Sequence, residues 1–128
     1  MPKRQHPEDA IQIAVADHLR QRGSPGVVFW HTPNGTKLGG KRSKKGYPIQ
    51  AGRLKRFGVR PGVSDVVAFH QGRMFCLELK APGNKPTAEQ YAFLSAMEEQ
   101  GAFTAWVDSL DRALAVLEEW KLLQGRAA

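Results

Sequence analysis

The stretch from Asp65 to Lys80 reads DVVAFHQGRMFCLELK and decides the fold. It contains two apolar runs, Val66–Phe69 and Met74–Leu79, separated by a short segment that includes a glycine. Apolar runs on either side of a Gly turn predict a β-hairpin. A two-residue loop pairs position 70 with 73, and a four-residue loop pairs 69 with 74. In either register, position 65 lies opposite position 78.

The hairpin brings two acidic side chains, Asp65 and Glu78, to one point. Carboxylates directly opposed across two strands repel each other, and a charge on a mostly apolar strand is costly unless something compensates it. Magnesium prefers oxygen ligands, so Mg²⁺, or Mn²⁺ in its place, held by both carboxylates and a backbone carbonyl would remove both penalties. Lys80 lies two residues beyond Glu78 and therefore points to the same face. The strands are predicted to present two acids and one amine at a single site.

A simpler interpretation treats Glu78 and Lys80 as an exposed pair and Asp65 as the cap of a turn, because charged residues alternate on many exposed strands. The surrounding strand argues for burial. Met74–Leu79 is apolar on both faces, which is typical of a central, covered strand. Cys76 in its middle is expected to be a small core residue. A buried acid needs a stronger reason than an exposed one.

Length and composition indicate one domain over residues 1–128. The chain is 41% hydrophobic, enough to bury a core. No apolar run is long enough to span a membrane, and the polar N-terminus has no signal-peptide core, so no membrane association and a cytoplasmic location are expected. The single cysteine excludes an internal disulfide and a multi-cysteine zinc site.

Positive charge is concentrated in one part of the chain. The net charge is +7, and no acidic residue occurs between Asp17 and Asp65, a stretch that holds eleven of the nineteen Lys and Arg residues. Such clustering is typical of proteins that bind a polyanion. A solvated surface and an anchor to acidic lipid are alternatives, but no amphipathic basic helix with a lipid face accompanies the charges. The expected DNA contacts are Lys37, Lys41, Arg42, Lys44, Lys45, Arg53, Lys55, Arg56 and Arg60.

Periodicity predicts an α/β fold with a mixed central sheet flanked by helices, in the order α-β-(loop)-β-β-α-β-α. The core is expected over about residues 7–107, with a basic loop over about 32–60 and a C-terminal helix over about 110–123. The other expected elements are a helix beginning at Pro7, a strand over Val27–Trp30, a short basic helix over Ile49–Phe57, a helix capped by Thr87, a strand over Phe103–Val107 and a last helix capped by Ser109.

The spacing of Asp65 and Glu78-x-Lys80 resembles the PD-(D/E)xK nuclease superfamily. Further motifs in the same order resemble the VRR-NUC (virus-type replication-repair nuclease) family, over roughly residues 7–107. They are Glu8 in a leading helix, His31-Thr-Pro-Asn-Gly35, the approach Gly62-Val-Ser-Asp65, Leu77–Ala81, and Gln90 opening the next helix. The resemblance implies a restriction-endonuclease-like core. The superfamily name has Pro before the first acid, whereas this chain has Ser64.

The resemblance also implies a role for each matching residue. Asp65 and Glu78 would bind the divalent metal, with the Leu79 carbonyl as a third ligand. Lys80 would assist the nucleophilic water. Glu8 would reach the metal or its water shell, and Gln90 would support Lys80 or contact the substrate. His31 and Asn34 would lie on the DNA side of the site or order the loop.

Each of these residues also has a purely structural interpretation. Glu8 could only complement the helix dipole, and Gln90 could only complete a capping box with Thr87. His31 could be an ordinary hydrogen-bonded histidine. Asn34 precedes a glycine, which is a turn signal by itself.

The leading hypothesis is a Mg²⁺-dependent endodeoxyribonuclease selective for branched DNA. The resemblance implies an enzyme like the Holliday-junction resolvases, which act in DNA repair as symmetric homodimers, and such a small chain fits a prokaryotic or phage-infected host cell. The alternative is a nucleic-acid-binding module with an inactive nuclease fold. A sequence-specific restriction-type nuclease and a structural RNA-binding protein are further options. The first has little room for a base-reading element in 128 residues.

Overall fold

The computed structural model describes residues 6–33 and 49–125, and for residues 49–51 the backbone only. Helices and strands alternate as the periodicity predicts. The elements are α1 (Pro7–Arg22), β1 (Val28–His31), α2 (Ile49–Arg56), β2 (Val66–His70), β3 (Arg73–Leu79), α3 (Ala88–Glu99), β4 (Phe103–Val107) and α4 (Leu110–Glu119). The expected order is confirmed, with α2 inside the segment predicted as the basic loop.

The strands form one mixed sheet in the order β1-β2-β3-β4. The first three are antiparallel neighbours, and β4 joins β3 in parallel after the crossover through α3. In the hairpin, His70 pairs with Arg73 and Val66 with Leu77. Its two-residue loop has both central residues at positive φ, as a tight hairpin turn requires. One step beyond the last pair, position 65 falls opposite 78, so the predicted register is confirmed.

One face of the sheet packs on α1 and α4. The apolar stripe of α1, Ile11, Val15 and Leu19, is buried there. It meets residues of β2 and β3 whose side chains point to the same face, including Ala68 and Leu77. This cluster is the main core, and it holds α1 across the sheet with the first turn of the helix near Asp65.

Over β3 and β4, the second face is covered by α3. Cys76, Phe93 and Leu94 are buried there with Trp106 beside them. The expected capping box is present: Gln90 N donates to Thr87 Oγ1, and Thr87 N donates to Gln90 Oε1. β3 is therefore the central, covered strand that its composition predicts.

Several predicted boundaries differ from the structure. The first strand spans Val28–His31 rather than Val27–Trp30, because Val27 N donates to Ser24 O and closes a turn. The basic helix ends at Arg56 rather than Phe57, and each hairpin strand extends one residue further toward the turn than its apolar run. The last helix ends at Glu119 rather than near 123, since Lys121 adopts positive φ. The leucines after it remain in the core, where Leu123 forms an antiparallel bridge with Gly23. The leucine pattern continues past the helix because the extended chain also packs inward.

Among the residues that the structure describes, no helix combines the length and the apolar character needed to cross a membrane.

Candidate active site

The candidate site lies at one end of the sheet, where residues from four elements converge. Glu78 is the penultimate residue of β3, and Asp65 immediately precedes β2. The first turn of α3 brings Gln90 to Glu78, and the first turn of α1 brings Glu8 to the cleft beside Asp65. Hairpin register, capping box and core packing together place these side chains.

Glu78 is the most unusual residue of the site, because its acidic side chain is only 2% exposed. Its Oε1 accepts a hydrogen bond of 3.0 Å from Gln90 Nε2. Its Oε2 is buried and has no hydrogen-bond partner among the described residues. Burial, and next the negative charge of Asp65, raise the pKa of Glu78 to about 9, while Lys80 acts in the opposite direction. The carboxyl therefore binds a proton at neutral pH unless a cation replaces that proton.

Asp65 links the two strands that enter the site. Its Oδ2 accepts a 2.8 Å hydrogen bond from Leu79 N. Its backbone carbonyl accepts from Thr32 N at 2.9 Å and lies 2.8 Å from His31 Nδ1. These contacts fix the carboxylate beside Glu78 and tie the end of β1 to it. The His31 ring thus contacts the Asp65 backbone, is exposed, and borders the cleft that Asp65 lines.

Lys80 and Glu78 are joined through one amide side chain. Lys80 Nζ donates to Gln90 Oε1 at 3.2 Å, and the other end of the same amide donates to Glu78. Gln90 Oε1 also accepts from Thr87 N at 2.8 Å. Gln90 therefore completes the capping box and also bonds both Lys80 and Glu78, so one side chain positions an acid and an amine.

Glu8 lines a small cleft of about 70 Å³ with His31, Asp65 and Leu79. Asp9 and Gln12 also line this cleft, although neither was predicted from the sequence to belong to the site. Gln12 Oε1 is buried without a hydrogen-bond partner in the described parts of the chain. Gln12 could have been predicted to lie near the site from the sequence, because it follows Glu8 by four residues and therefore lies on the same helix face.

The donor set fits a hard divalent cation. Asp65 lines the cleft together with Leu79, and the buried Glu78 carboxyl, whose Oε2 has no donor among the described residues, lies beside Asp65. Over residues 6–33 and 49–125, no three His, Cys, Asp or Glu side chains cluster closely enough to hold a metal ion. Mg²⁺ tolerates such a sparse set because it usually keeps several waters. Glu8 lines the same cleft as Asp65.

Ser64 occupies the position before the first acid and is fully buried. Its hydroxyl donates to Val66 O at 3.3 Å and also bonds the Cys76 side chain. Burial raises the pKa of the Cys76 thiol, which suits a core residue. Ser64 stands where the superfamily name has proline, and its buried contacts fix the chain that leads into Asp65.

The basic residues predicted to contact DNA divide into two groups. Arg53, Lys55, Arg56 and Arg60 are exposed on α2 and the turn after it. The Arg60 guanidinium lies over the ring of Phe93, 5.6 Å from its centre, which holds this cation against α3. The other expected DNA contacts lie outside the described residues: Asn34, Lys37, Lys41, Arg42, Lys44 and Lys45.

A solved structure described as a "VRR_NUC domain protein" matches this structure with a TM-score of 0.70. This chain has the same fold. The match covers 95% of this chain and 94% of the other, at 20% sequence identity, so the likeness is one of fold. The predicted resemblance to VRR-NUC proteins and the restriction-endonuclease-like α/β core are thereby confirmed at that level. No protein-family model matches the sequence, and no curated protein matches it.

Proposed function

We propose that this protein is a divalent-metal-dependent endodeoxyribonuclease that hydrolyses phosphodiester bonds in branched DNA. One observation carries the proposal. The buried Glu78 carboxyl lies against Asp65, and no donor within the described structure reaches its second oxygen, so the two side chains must share either a proton or a cation. Buried polar atoms are almost always hydrogen-bonded, and an acid buried beside another acid is destabilising. A bound cation explains why both residues stand there.

Asp65, Glu78 and the Leu79 carbonyl would hold Mg²⁺, with Mn²⁺ as a substitute. When bound, such an ion neutralises charge on the phosphate and makes water a stronger nucleophile. Phosphodiesters hydrolyse very slowly unaided, so both effects are needed. The main-chain bond from Leu79 N keeps the Asp65 carboxylate aimed into the site. The Asp65 carboxylate is therefore already oriented in the folded protein, before a metal ion or DNA binds.

Lys80 would position the attacking water and stabilise the charge that develops on the phosphate. Gln90 fixes the Lys80 ammonium beside Glu78 and so sets where that positive charge stands. Glu8 borders the cleft from the opposite side, across from α3, and would accept hydrogen bonds from water there. In this arrangement the Lys80 ammonium and the carboxyl groups of Glu8, Asp65 and Glu78 would surround the phosphate that is cleaved.

The exposed basic residues of α2 and its following turn would hold the DNA backbone, together with the basic segment before them. Cleavage of a four-way junction requires two cuts, and a twofold homodimer supplies two sites in fixed relation. These features support a Holliday-junction-resolvase-like enzyme.

A cleavage assay tests the proposal. Linear, flapped and four-way DNA of equal length are incubated with Mg²⁺, with Mn²⁺ and with chelator. We expect metal-dependent cleavage, strongest on branched DNA, and a loss of roughly 100-fold or more in Lys80→Ala. Lys85→Ala is the matched control, because Lys85 is an exposed lysine on the loop leading into α3. DNA binding without cleavage under every condition would instead favour a binding module with an inactive nuclease fold.

A further inference from the structure

An aromatic surface lies on the sheet beside the candidate site. Trp30 of β1 is 45% exposed and Phe69 of β2 is 41% exposed. Their rings stack with centres 5.9 Å apart and planes 23° apart. Val28, paired directly with Phe69, is 58% exposed and extends the surface. Three large apolar side chains are thus held in water by a rigid sheet.

The aromatic surface shares a sheet face with Glu78. Trp30 lies opposite Val67, and Val67 lies opposite Cys76, so these three side chains form one row across the sheet. Glu78 is two residues beyond Cys76 on the same strand and therefore points to the same side. The row meets β3 about 7 Å from Glu78 along the strand, and Trp30 lies two strands away across the sheet, so its backbone is roughly 12 Å from that of Glu78. That is about three to four steps of a stacked nucleic-acid strand, at roughly 3.4 Å per nucleotide.

The charge around this surface favours a polyanion. Between Asp17 and Glu78 the sequence contains one acidic residue, Asp65, which belongs to the site itself. The strands that carry the aromatic surface, β1 and β2, therefore have no other acidic residue on or between them. On β1, β2 and the chain between them, only Asp65 would repel a negatively charged partner, and a cation is proposed there.

The area argues against a second copy of the chain as the occupant. Two half-exposed aromatic rings and a valine offer on the order of 300 Å², judged from the 150–250 Å² that a whole aromatic side chain buries. A stable interface needs about 800 Å² from each partner. The area does fit one or two nucleic-acid bases, which stack on exposed aromatic rings regardless of sequence.

We infer that Trp30 and Phe69 form a stacking surface for unpaired bases of the DNA strand a few nucleotides from the bond that is cut. This inference rests on the proposed function and makes its substrate more specific: DNA with a single-stranded or unstacked segment near the cleaved phosphate. Bases inside a continuous duplex cannot reach the rings, because they are stacked on each other. The surface would therefore select frayed, flapped or branch-point DNA.

A binding experiment in chelator tests the inference without needing cleavage. The probes are a labelled oligothymidylate and a blunt duplex of equal length, measured by fluorescence anisotropy. The variants Trp30→Leu and Phe69→Leu keep the surface apolar but remove one ring each. We expect each to lose about tenfold in affinity for the oligothymidylate and to bind the duplex as the wild type does. Quenching of tryptophan fluorescence by the oligothymidylate should be lost in Trp30→Leu.

Phe103→Leu is the matched control, since Phe103 is a 42% exposed aromatic residue on the far edge strand β4. It should leave binding of both probes unchanged. Equal affinities of wild type and both ring variants for oligothymidylate would overturn the inference. So would equal losses on both probes, or a change of oligomeric state in the ring variants by light scattering, which would assign the surface to a second copy. Cleavage measured in parallel with Asp65→Asn tests the proposed function separately.

Discussion

At the residue scale, the proposed metal site depends on Glu78. Hairpin periodicity and the Gly turn were enough to predict that positions 65 and 78 face each other, because a two-residue period fixes which side chains share a face. The sequence could not show that Gln90 would satisfy one Glu78 oxygen and leave the other without a partner. That depends on how α3 docks on the sheet, which is a tertiary property.

The raised pKa of Glu78 makes metal-free stability depend on pH. Its pKa of about 9 in the folded chain exceeds the ordinary 4.5, so the folded state binds the extra proton between these values. The free energy of unfolding should therefore fall as pH rises from 5 to 9, with a slope of up to about 1.4 kcal/mol per pH unit. Glu78→Gln, which cannot titrate, should lose that slope and be the more stable protein at pH 8.

Urea denaturation in chelator across this pH range measures the effect. Glu89→Gln serves as control, because Glu89 is an exposed glutamate on the first turn of α3. Wild-type and Glu78→Gln curves that stay parallel from pH 5 to 9 would contradict the assignment of Glu78 as a buried, neutral acid in the metal-free protein.

The two roles of Gln90 can be separated by mutation. Thr87→Ala removes only the cap and should cost about 1 kcal/mol of stability with little effect on cleavage. Gln90→Ala should cost a further 1–3 kcal/mol, roughly, because it also leaves Glu78 Oε1 unsatisfied, and should lower cleavage at least tenfold. Thermal denaturation and cleavage rates distinguish the two. Equal effects of both variants on cleavage would reduce Gln90 to a capping residue.

At the element scale, the sequence predicted the type and order of the elements but misplaced several of their ends. Helix and strand types follow from periodicity, and β4 was predicted with its observed bounds. The start of β1 depends on a local turn at Ser24, and the end of α4 on a positive-φ residue after it. Apolar patterns do not reveal such features, because residues on both sides of the boundary face the same core.

Gly62 links two elements of the site at close range. It has φ of +81°, and a Cβ there would lie 2.5 Å from the Glu89 carbonyl oxygen and 2.9 Å from Gln90 N. Gly62→Ala should push the start of α3 away from Asp65, and so reduce stability by more than the 1–2 kcal/mol, roughly, expected for an alanine at positive φ alone. Cleavage should fall as well.

Gly83→Ala is the control for Gly62→Ala. Gly83 has φ of +84° with nothing within 4 Å of the added Cβ, so it tests backbone strain without the clash. Chemical denaturation and cleavage rates are compared for the two variants. Equal losses in both would show that close packing of Gly62 against α3 has no part in forming the site.

At the scale of the whole molecule, the uneven charge predicts how DNA binding responds to salt. Neutralising Arg53, Arg56 and Arg60 together should flatten the plot of log affinity against log salt by up to about 0.9 per lost phosphate contact. Lys44 and Lys45, in the basic segment, should behave alike. Lys121→Gln is a control, since Lys121 is exposed beyond α4. An unchanged slope would place the DNA on another surface.

A divalent cation is proposed to bind between Asp65 and Glu78 and so to offset the cost of placing two acids together. Its binding can be tested without any substrate. Isothermal titration calorimetry with Mg²⁺ and with Mn²⁺ measures it directly. We predict one bound ion per chain in the wild type, and none detectable in Asp65→Asn, where the amide can still accept the bond from Leu79 N. A wild-type trace equal to that of buffer, or equal affinity in Asp65→Asn, would contradict the claim.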